Sequence, residues 1–246
     1  MLKYIRLVLF GIYTTFSTTF SLLVCLFRPL HPENTWLVSK WLSWGWRVIM
    51  GIDFKVVNRE LLIDRAPRVY LANHQSNWDL FVWTSFVPKR AVSVGKKQIA
   101  YIPVFGPLYW LSGNVLLNRT NRVSATKRLN EAAQAIIDRK ISLVIFPEGT
   151  RSRGRGLLPF KKGAIHTAIE AQVPIQPVCI SPYVRDLNYN RWRSGTVTVT
   201  VMPPISTEGK HVGDLTTILK EARKVFEEVL GVDYNVVPQP EGQTSA

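Results

Sequence analysis

The residues able to do chemistry begin at Asn73, where the run NHQSNWD sets His74 and Asp79 five positions apart. On a continuous helix of 3.6 residues per turn, that spacing separates two side chains by about 140° around the axis, too far for them to meet. If His74 stands in a loop and Ser76 or Asn77 caps a helix beginning near Trp78, Asp79 falls in the first turn and folds back to the imidazole. A carboxylate on the Nδ1–H leaves Nε2 as a proton acceptor, fixes the tautomer and stabilises the imidazolium. An aspartate plays that part in a Ser-His-Asp triad. Here no protein nucleophile need follow. Two other readings of the same residues stand beside this one: Ser76 as a nucleophile, although its position suits a cap, and His74 as a polar loop residue hydrogen-bonded for stability alone.

A second set of residues suits an anion. Lys96 and Lys97 follow AVSVG, Arg119 follows NVLLN, and Arg151 follows the turn Glu148-Gly149-Thr150. Arg119 and Arg151 carry the planar fork that grips a phosphate through paired bonds, and Lys96 adds a point charge. Arg153, Arg155, Lys161 and Lys162 read instead as a solvated basic rim. Gly149 permits close backbone approach, which makes its N–H a candidate donor to a substrate or an oxyanion.

Each of these residues must be positioned by what precedes it. Short β-branched runs occur near residues 53, 68, 91, 114, 142, 175 and 196, and helical patterns lie at 78–87, 123–139, 161–171 and 214–230. This alternation predicts an α/β domain with a largely parallel sheet. In open sheets of that kind ligands sit beyond the carboxyl ends of the strands. VYLA running into Asn73-His74 and LVIF running into Pro147-Glu148 are the two places to look.

Composition narrows the chemistry further. The 246 residues carry 31 Lys and Arg against 17 Asp and Glu, a net charge of +14, which favours a polyanionic partner such as nucleic acid, an anionic membrane or a phosphorylated substrate. A mean hydropathy of +0.05 is greasy for a soluble protein and excludes a disordered or collagen-like chain. With only Cys25 and Cys179 there is no disulfide scaffold and no cysteine zinc module, and the four histidines show no H-E-x-x-H pattern, so no metal is expected. No G-x-G-x-x-G, P-loop or G-x-S-x-G motif occurs, which sets nucleotide-cofactor and serine-hydrolase readings aside.

The amino-terminal region has a different texture. Leu7 to Phe27 is a run of 21 residues without formal charge between Arg6 and Arg28, about 32 Å as a helix and enough to cross a bilayer core of about 30 Å. It is long for a signal-peptide core, and no A-x-A-like cleavage site follows before Arg28. Thr14, Ser17, Thr18 and Ser21 share one helical face and call for a protein neighbour, while Gly11, Thr15 and Thr19 form a small-residue ridge. Residues 35–52 form a second helical pattern with four tryptophans within eleven residues, of the kind that favours a headgroup layer. We therefore expect residues 1–51 to be a two-helix membrane anchor turning at His31-Pro32, with a single true span as the alternative. Residues 52–237 form the catalytic domain and 238–246 a disordered tail. Flanking charges do not fix the orientation.

Taken together, four blocks in this order resemble the glycerolipid acyltransferase family, in particular its bacterial branch acting on 1-acylglycerol 3-phosphate. They are NHQSNWD with its H-x4-D, Gly95 to Gly106 continuing through Arg119, FPEGTRS from Phe146 to Ser152, and VPIQPV from Val173 to Val178. The resemblance implies His74 as general base with Asp79 orienting it. It implies Lys96, Arg119, Glu148, Gly149, Thr150 and Arg151 as the residues binding the acceptor's glycerophosphate, and a fourth block that shapes the donor or acceptor surface. The implied reaction joins lysophosphatidic acid to an acyl group from acyl-CoA or acyl carrier protein. A thiol leaving group with a pKa of about 8.5 needs no strong general acid, so no metal or redox cofactor is expected. Membrane lipids are the expected partner and nucleic acid is not; the implied location is the cytoplasmic face of a bacterial inner membrane. The positive charge agrees with acidic donors, since 29 basic against 17 acidic groups remain after Phe27. Competing readings are another acceptor within the family, a hydrolase using the same pair, and a membrane-tethered protein that binds anionic lipid.

Overall fold

The computed structural model describes residues 1–117 and 124–231. Helices α1 (Leu2–Phe27) and α2 (Asn34–Met50) come first, followed by strand β1 (Ile52–Val57). Then come β2 (Val69–Ala72), α3 (Asp79–Thr84), β3 (Ala91–Lys96), α4 (Phe105–Leu111) and β4 (Val115–Leu117). The remainder is α5 (Ser124–Arg139), β5 (Ser142–Ile145), α6 (Gly163–Glu170), β6 (Ile175–Ile180), β7 (Gly195–Val201) and α7 (Leu215–Leu230).

The strands form one seven-stranded sheet in the order β1-β7-β6-β2-β5-β3-β4, parallel throughout except where β6 meets β7. The expected α/β domain with a largely parallel sheet is therefore what forms. Because side chains alternate across a strand, β2 divides itself between two cores. Val69 and Leu71 face α5, α6 and α7, meeting Ile136, Ile165 and Phe226, while Tyr70 and Ala72 face α2 and α3, meeting Trp46, Met50 and Trp83. The result is a sheet covered on both faces, as parallel strands require.

Strand β2 pairs with β5 on one side and with β6 on the other, although β3 is the strand that follows it in the chain. The loop leaving β2 thus emerges between the ends of β5 and β6. That order brings residues near 74, 148 and 180 together.

The first two helices are packed against this domain along their length. Trp46 and Met50 of α2 are fully buried in the second core, whereas Trp41, Trp44 and Val48 are exposed on the opposite side. The hydroxyl face of α1 does find protein: Ser17, Thr18 and Ser21 are buried. Gly45 sits where α1 crosses α2, since a Cβ there would lie 1.9 Å from the Tyr13 ring. The Gly11, Thr15 and Thr19 ridge instead faces outward, its threonines donating to the carbonyls one turn back.

Arg6, which reads in the sequence as a flanking charge, is buried. Its guanidinium donates to the carbonyl oxygens of Met50, Tyr189, Arg191 and Trp192 and to Ser194 Oγ. At the other end of α1, Leu30 N–H donates to Leu111 O at 2.8 Å and Thr35 to Ser112 O at 2.9 Å. The expected tail at 238–246 lies outside the described residues.

Candidate active site

His74 follows β2 in a loop that is fastened on both sides. Asn73 exchanges two bonds with the main chain of Ile180, at 2.9 and 2.8 Å, and Gln75 Nε2 donates to the carbonyls of Ile180 and Ser181. On the β5 side, Ser152 N–H donates to His74 O at 2.7 Å and Arg153 N–H to Gln75 O at 3.1 Å. The two motif loops therefore pair through their backbones like a short extension of the sheet.

Asp79 is the first residue of α3 and is fully buried. Its Oδ2 accepts from the His74 ring at Nδ1 (2.6 Å) and from the main-chain N–H groups of Gln75 (2.6 Å) and Ser76 (2.9 Å). Its Oδ1 accepts from the Tyr183 hydroxyl at 2.5 Å. The fold-back geometry inferred from the spacing is present. The helix starts one residue later than that reading placed it, and the Asp79 carboxylate itself closes the turn, while Ser76 Oγ accepts from Trp78 N–H. With Nδ1–H donating to a carboxylate, Nε2 is left as the ring's lone-pair nitrogen. The ring stacks on Phe146 with centroids 4.2 Å apart, so the face of the imidazole is set by the end of β5.

His74 borders a cavity of about 440 Å³ that runs from the carboxyl ends of β3 and β5 back toward α3 and α4. Lys96, Gly149, Thr150 and Arg151 border it as well, and the inner wall is apolar, with Leu80, Trp83, Val144, Ile145 and Phe105. Arg151 reaches across the mouth to Asn77 Oδ1. Arg119 lies outside the described residues.

Glu148 is placed differently from the other acceptor-binding candidates. It is buried, its Oε1 accepts from His74 N–H at 2.6 Å and its Oε2 from Leu158 N–H at 3.0 Å. Burial pushes its carboxyl up to about 7, against the pull of those two N–H donors. The Gly149 N–H, considered from the sequence as a free donor, is committed to Phe146 O at 3.1 Å. Glycine is required there for the backbone: φ is +69°, and a Cβ would lie 2.8 Å from Lys161 Nζ. Lys161, expected on a solvated basic rim, is exposed and stands against the Gly149 turn. The fourth block leads into and forms most of β6, a fully buried inner strand, and none of its residues borders the cavity.

Two contributors went unread in the sequence. Tyr183 carried no motif signal, although its place three residues beyond β6, at a strand's carboxyl end, is where the ligand rule directs attention. Ser93, Tyr109 and Asn114 form a hydrogen-bonded cluster, with Ser93 Oγ 2.7 Å from the Tyr109 hydroxyl and 2.9 Å from Asn114 Oδ1, and the first two border the cavity. Gly95 makes room for it, since a Cβ would stand 2.7 Å from that hydroxyl.

A layered αβ domain with a carboxylate-held histidine over an apolar, cation-rimmed cavity is suited to moving an acyl chain onto a phosphorylated acceptor. Residues 53–181 match the model of the acyltransferase family. The chain is 39% identical over 230 residues to the 1-acyl-sn-glycerol-3-phosphate acyltransferase of Escherichia coli (strain K12), covering 93% of each protein. It is 39% identical over 210 residues to the Haemophilus influenzae protein of the same name, covering 85% of this chain and 87% of that one. The crystal structure of the 1-acyl-sn-glycerophosphate (LPA) acyltransferase PlsC from Thermotoga maritima shares the fold with a TM-score of 0.65 at 24% identity, over 93% of this chain and 98% of that one. This chain belongs to the acyltransferase family.

Proposed function

We propose that this protein is a 1-acyl-sn-glycerol-3-phosphate O-acyltransferase, forming phosphatidic acid from lysophosphatidic acid and an acyl thioester, with His74 as its general base. The observation that carries the roles is the 2.6 Å bond between His74 and buried Asp79 at the edge of the cavity. Nε2 takes the proton of the sn-2 hydroxyl as that oxygen attacks the thioester carbonyl. The tetrahedral intermediate collapses with cleavage of the C–S bond, and the imidazolium returns its proton to the departing thiolate. Asp79 stabilises the imidazolium between those steps. Lys96 and Arg151 on the cavity wall suit the acceptor's phosphate, Thr150 and the Gly149 turn shape that edge, and the apolar wall suits a fatty acyl chain. Arg119 keeps the phosphate-binding role given by its motif. Glu148 acts through the backbone of His74, as a positioning residue.

Acyl-CoA and acyl carrier protein both fit a basic protein as donors. The 26-residue helix α1 is long and apolar enough to cross a membrane. In our reading it lies along one leaflet instead, because the αβ domain holds it near both ends, with the catalytic domain on the cytoplasmic face. The exposed Trp41 and Trp44 of α2 would sit at headgroup level.

The deciding experiment is a labelled-acyl transfer assay on the purified chain with a panel of acceptors. Product formation with 1-acylglycerol 3-phosphate above all others is expected. A preference for glycerol 3-phosphate or another lysolipid would overturn the acceptor, and release of free fatty acid alone would make the protein a hydrolase.

A further inference from the structure

Asp79 has two oxygens, and the histidine uses one. The other lies on the buried side of the carboxylate, where the Tyr183 hydroxyl donates to it at 2.5 Å. Tyr183 is itself buried, and its backbone begins a turn, accepting N–H bonds from Asp186 and Leu187, that fixes where the ring points. It comes from the far side of β6, 104 residues along the chain, so nothing local to the histidine loop brings it there. It is buried and does not border the cavity.

We propose that Tyr183 is a positioning residue of the histidine–aspartate pair: its hydroxyl holds Asp79 Oδ1, fixing the carboxylate plane and setting how strongly that carboxylate attracts the proton on His74. The inference rests on the assignment of His74 as the base and adds a third member behind it. A hydrogen bond to a carboxylate spreads its charge and lowers its proton affinity. With Tyr183 in place, part of the Asp79 charge is engaged away from the imidazole, so the imidazolium is less stabilised than a lone carboxylate would make it. Burial and the facing carboxylate push the phenol far above its ordinary value, so it remains a donor throughout the working range.

The other titratable or charged groups around the pair are accounted for. Glu148 holds the His74 N–H, Lys96 and Arg151 stand on the cavity wall, Lys161 lies over Gly149, and Tyr189 is near Tyr183. None of these donates to Oδ1.

The test is the pH profile of kcat/KM for Tyr183→Phe in the full-length protein. Removing the hydroxyl should move the acid limb toward higher pH and lower kcat on the order of tenfold, the usual effect of losing a charge-assisted bond, with the KM for lysophosphatidic acid little changed. A folded variant whose acid limb stays in place or moves downward overturns the proposal, even if kcat falls. Should the phenylalanine variant not fold, a ring-fluorinated tyrosine at position 183 keeps the shape and makes a stronger donor. Its acid limb should then move toward lower pH, and an unmoved limb is again fatal. His74→Ala is run alongside: loss of turnover there with an unmoved limb in the Tyr183 variants removes only the positioning role, whereas normal turnover without the imidazole removes the base assignment itself.

Discussion

The main-chain N–H of His74 donates to Oε1 of Glu148 at 2.6 Å, across a separation of 74 residues. The loop after β2 is thus hung from a carboxylate that the loop after β5 carries. Because Oε2 also holds Leu158 N–H, one buried side chain ties three segments together.

That carboxyl carries a pH signature. Burial raises it from 4.5 to about 7, so the fold favours its protonated form. The contribution to stability is fully present below the unfolded value and is lost as pH rises through about 7. The arithmetic gives a loss of about 2 to 3 kcal/mol between roughly pH 5 and pH 8. Urea denaturation in detergent at those two pH values should show the parent losing that much more stability than Glu148→Gln, which cannot ionise. Equal losses in both proteins would mean that the carboxylate is comfortable where it is.

Replacing His74 by alanine should reduce kcat on the order of a hundredfold or more, the range general bases contribute, while the chain still sediments with membranes. Buried Asp79 keeps its bonds from Gln75, Ser76 and Tyr183 when the imidazole is removed, so folding should survive. Turnover like the parent's in the labelled-acyl transfer assay is the result that would sink the mechanism.

Arg151 offers a different kinetic pattern. It sits at the cavity mouth, bonded to Asn77, and among the described residues no hydrogen bond or ion pair joins its side chain to His74 or Asp79. Arg151→Ala should raise the KM for lysophosphatidic acid about tenfold or more, as expected for one lost charge-assisted contact, and leave kcat nearly unchanged. An unaltered KM would move the phosphate to Lys96 and its neighbours.

What the sequence made legible follows the range of each interaction. The strands and most helices came from patterns over a few residues, and the fold-back of Asp79 onto His74 needed only five positions and a loop. Helix α4 escaped because FGPLYWL is short and opens with Gly and Pro, which read as a turn. The inward aim of Glu148 and the reach of Tyr183 depend on β2 lying between β5 and β6. No local periodicity encodes strand order, so a motif glutamate beside Gly149 and three residues before Arg151 read as a ligand residue. Arg6 misled for the same reason: its five acceptors lie near Met50 and in the loop of residues 189–194, visible only after folding.

The same arginine bears on how the protein meets a bilayer. A helix of 26 residues extends about 39 Å, and if α1 crossed the membrane its two ends would face opposite compartments. Yet Lys3 N–H donates to Asn190 Oδ1 at 3.1 Å near one end, and Leu30 N–H donates to Leu111 O at 2.8 Å just beyond the other. Both acceptors belong to the αβ domain. Freeing the first end would take the Arg6 guanidinium away from all five of its acceptors. The outward side of α1, with Val8, Ile12 and Phe16 exposed, has the apolar surface to enter one leaflet lengthwise. Cysteines placed singly at Lys3 and Arg28, with Cys25 and Cys179 replaced by serine, should therefore react with a membrane-impermeant maleimide from the same side of sealed vesicles. Labelling from opposite sides would make α1 a true span and would require the Arg6 cluster to open in the membrane-bound protein.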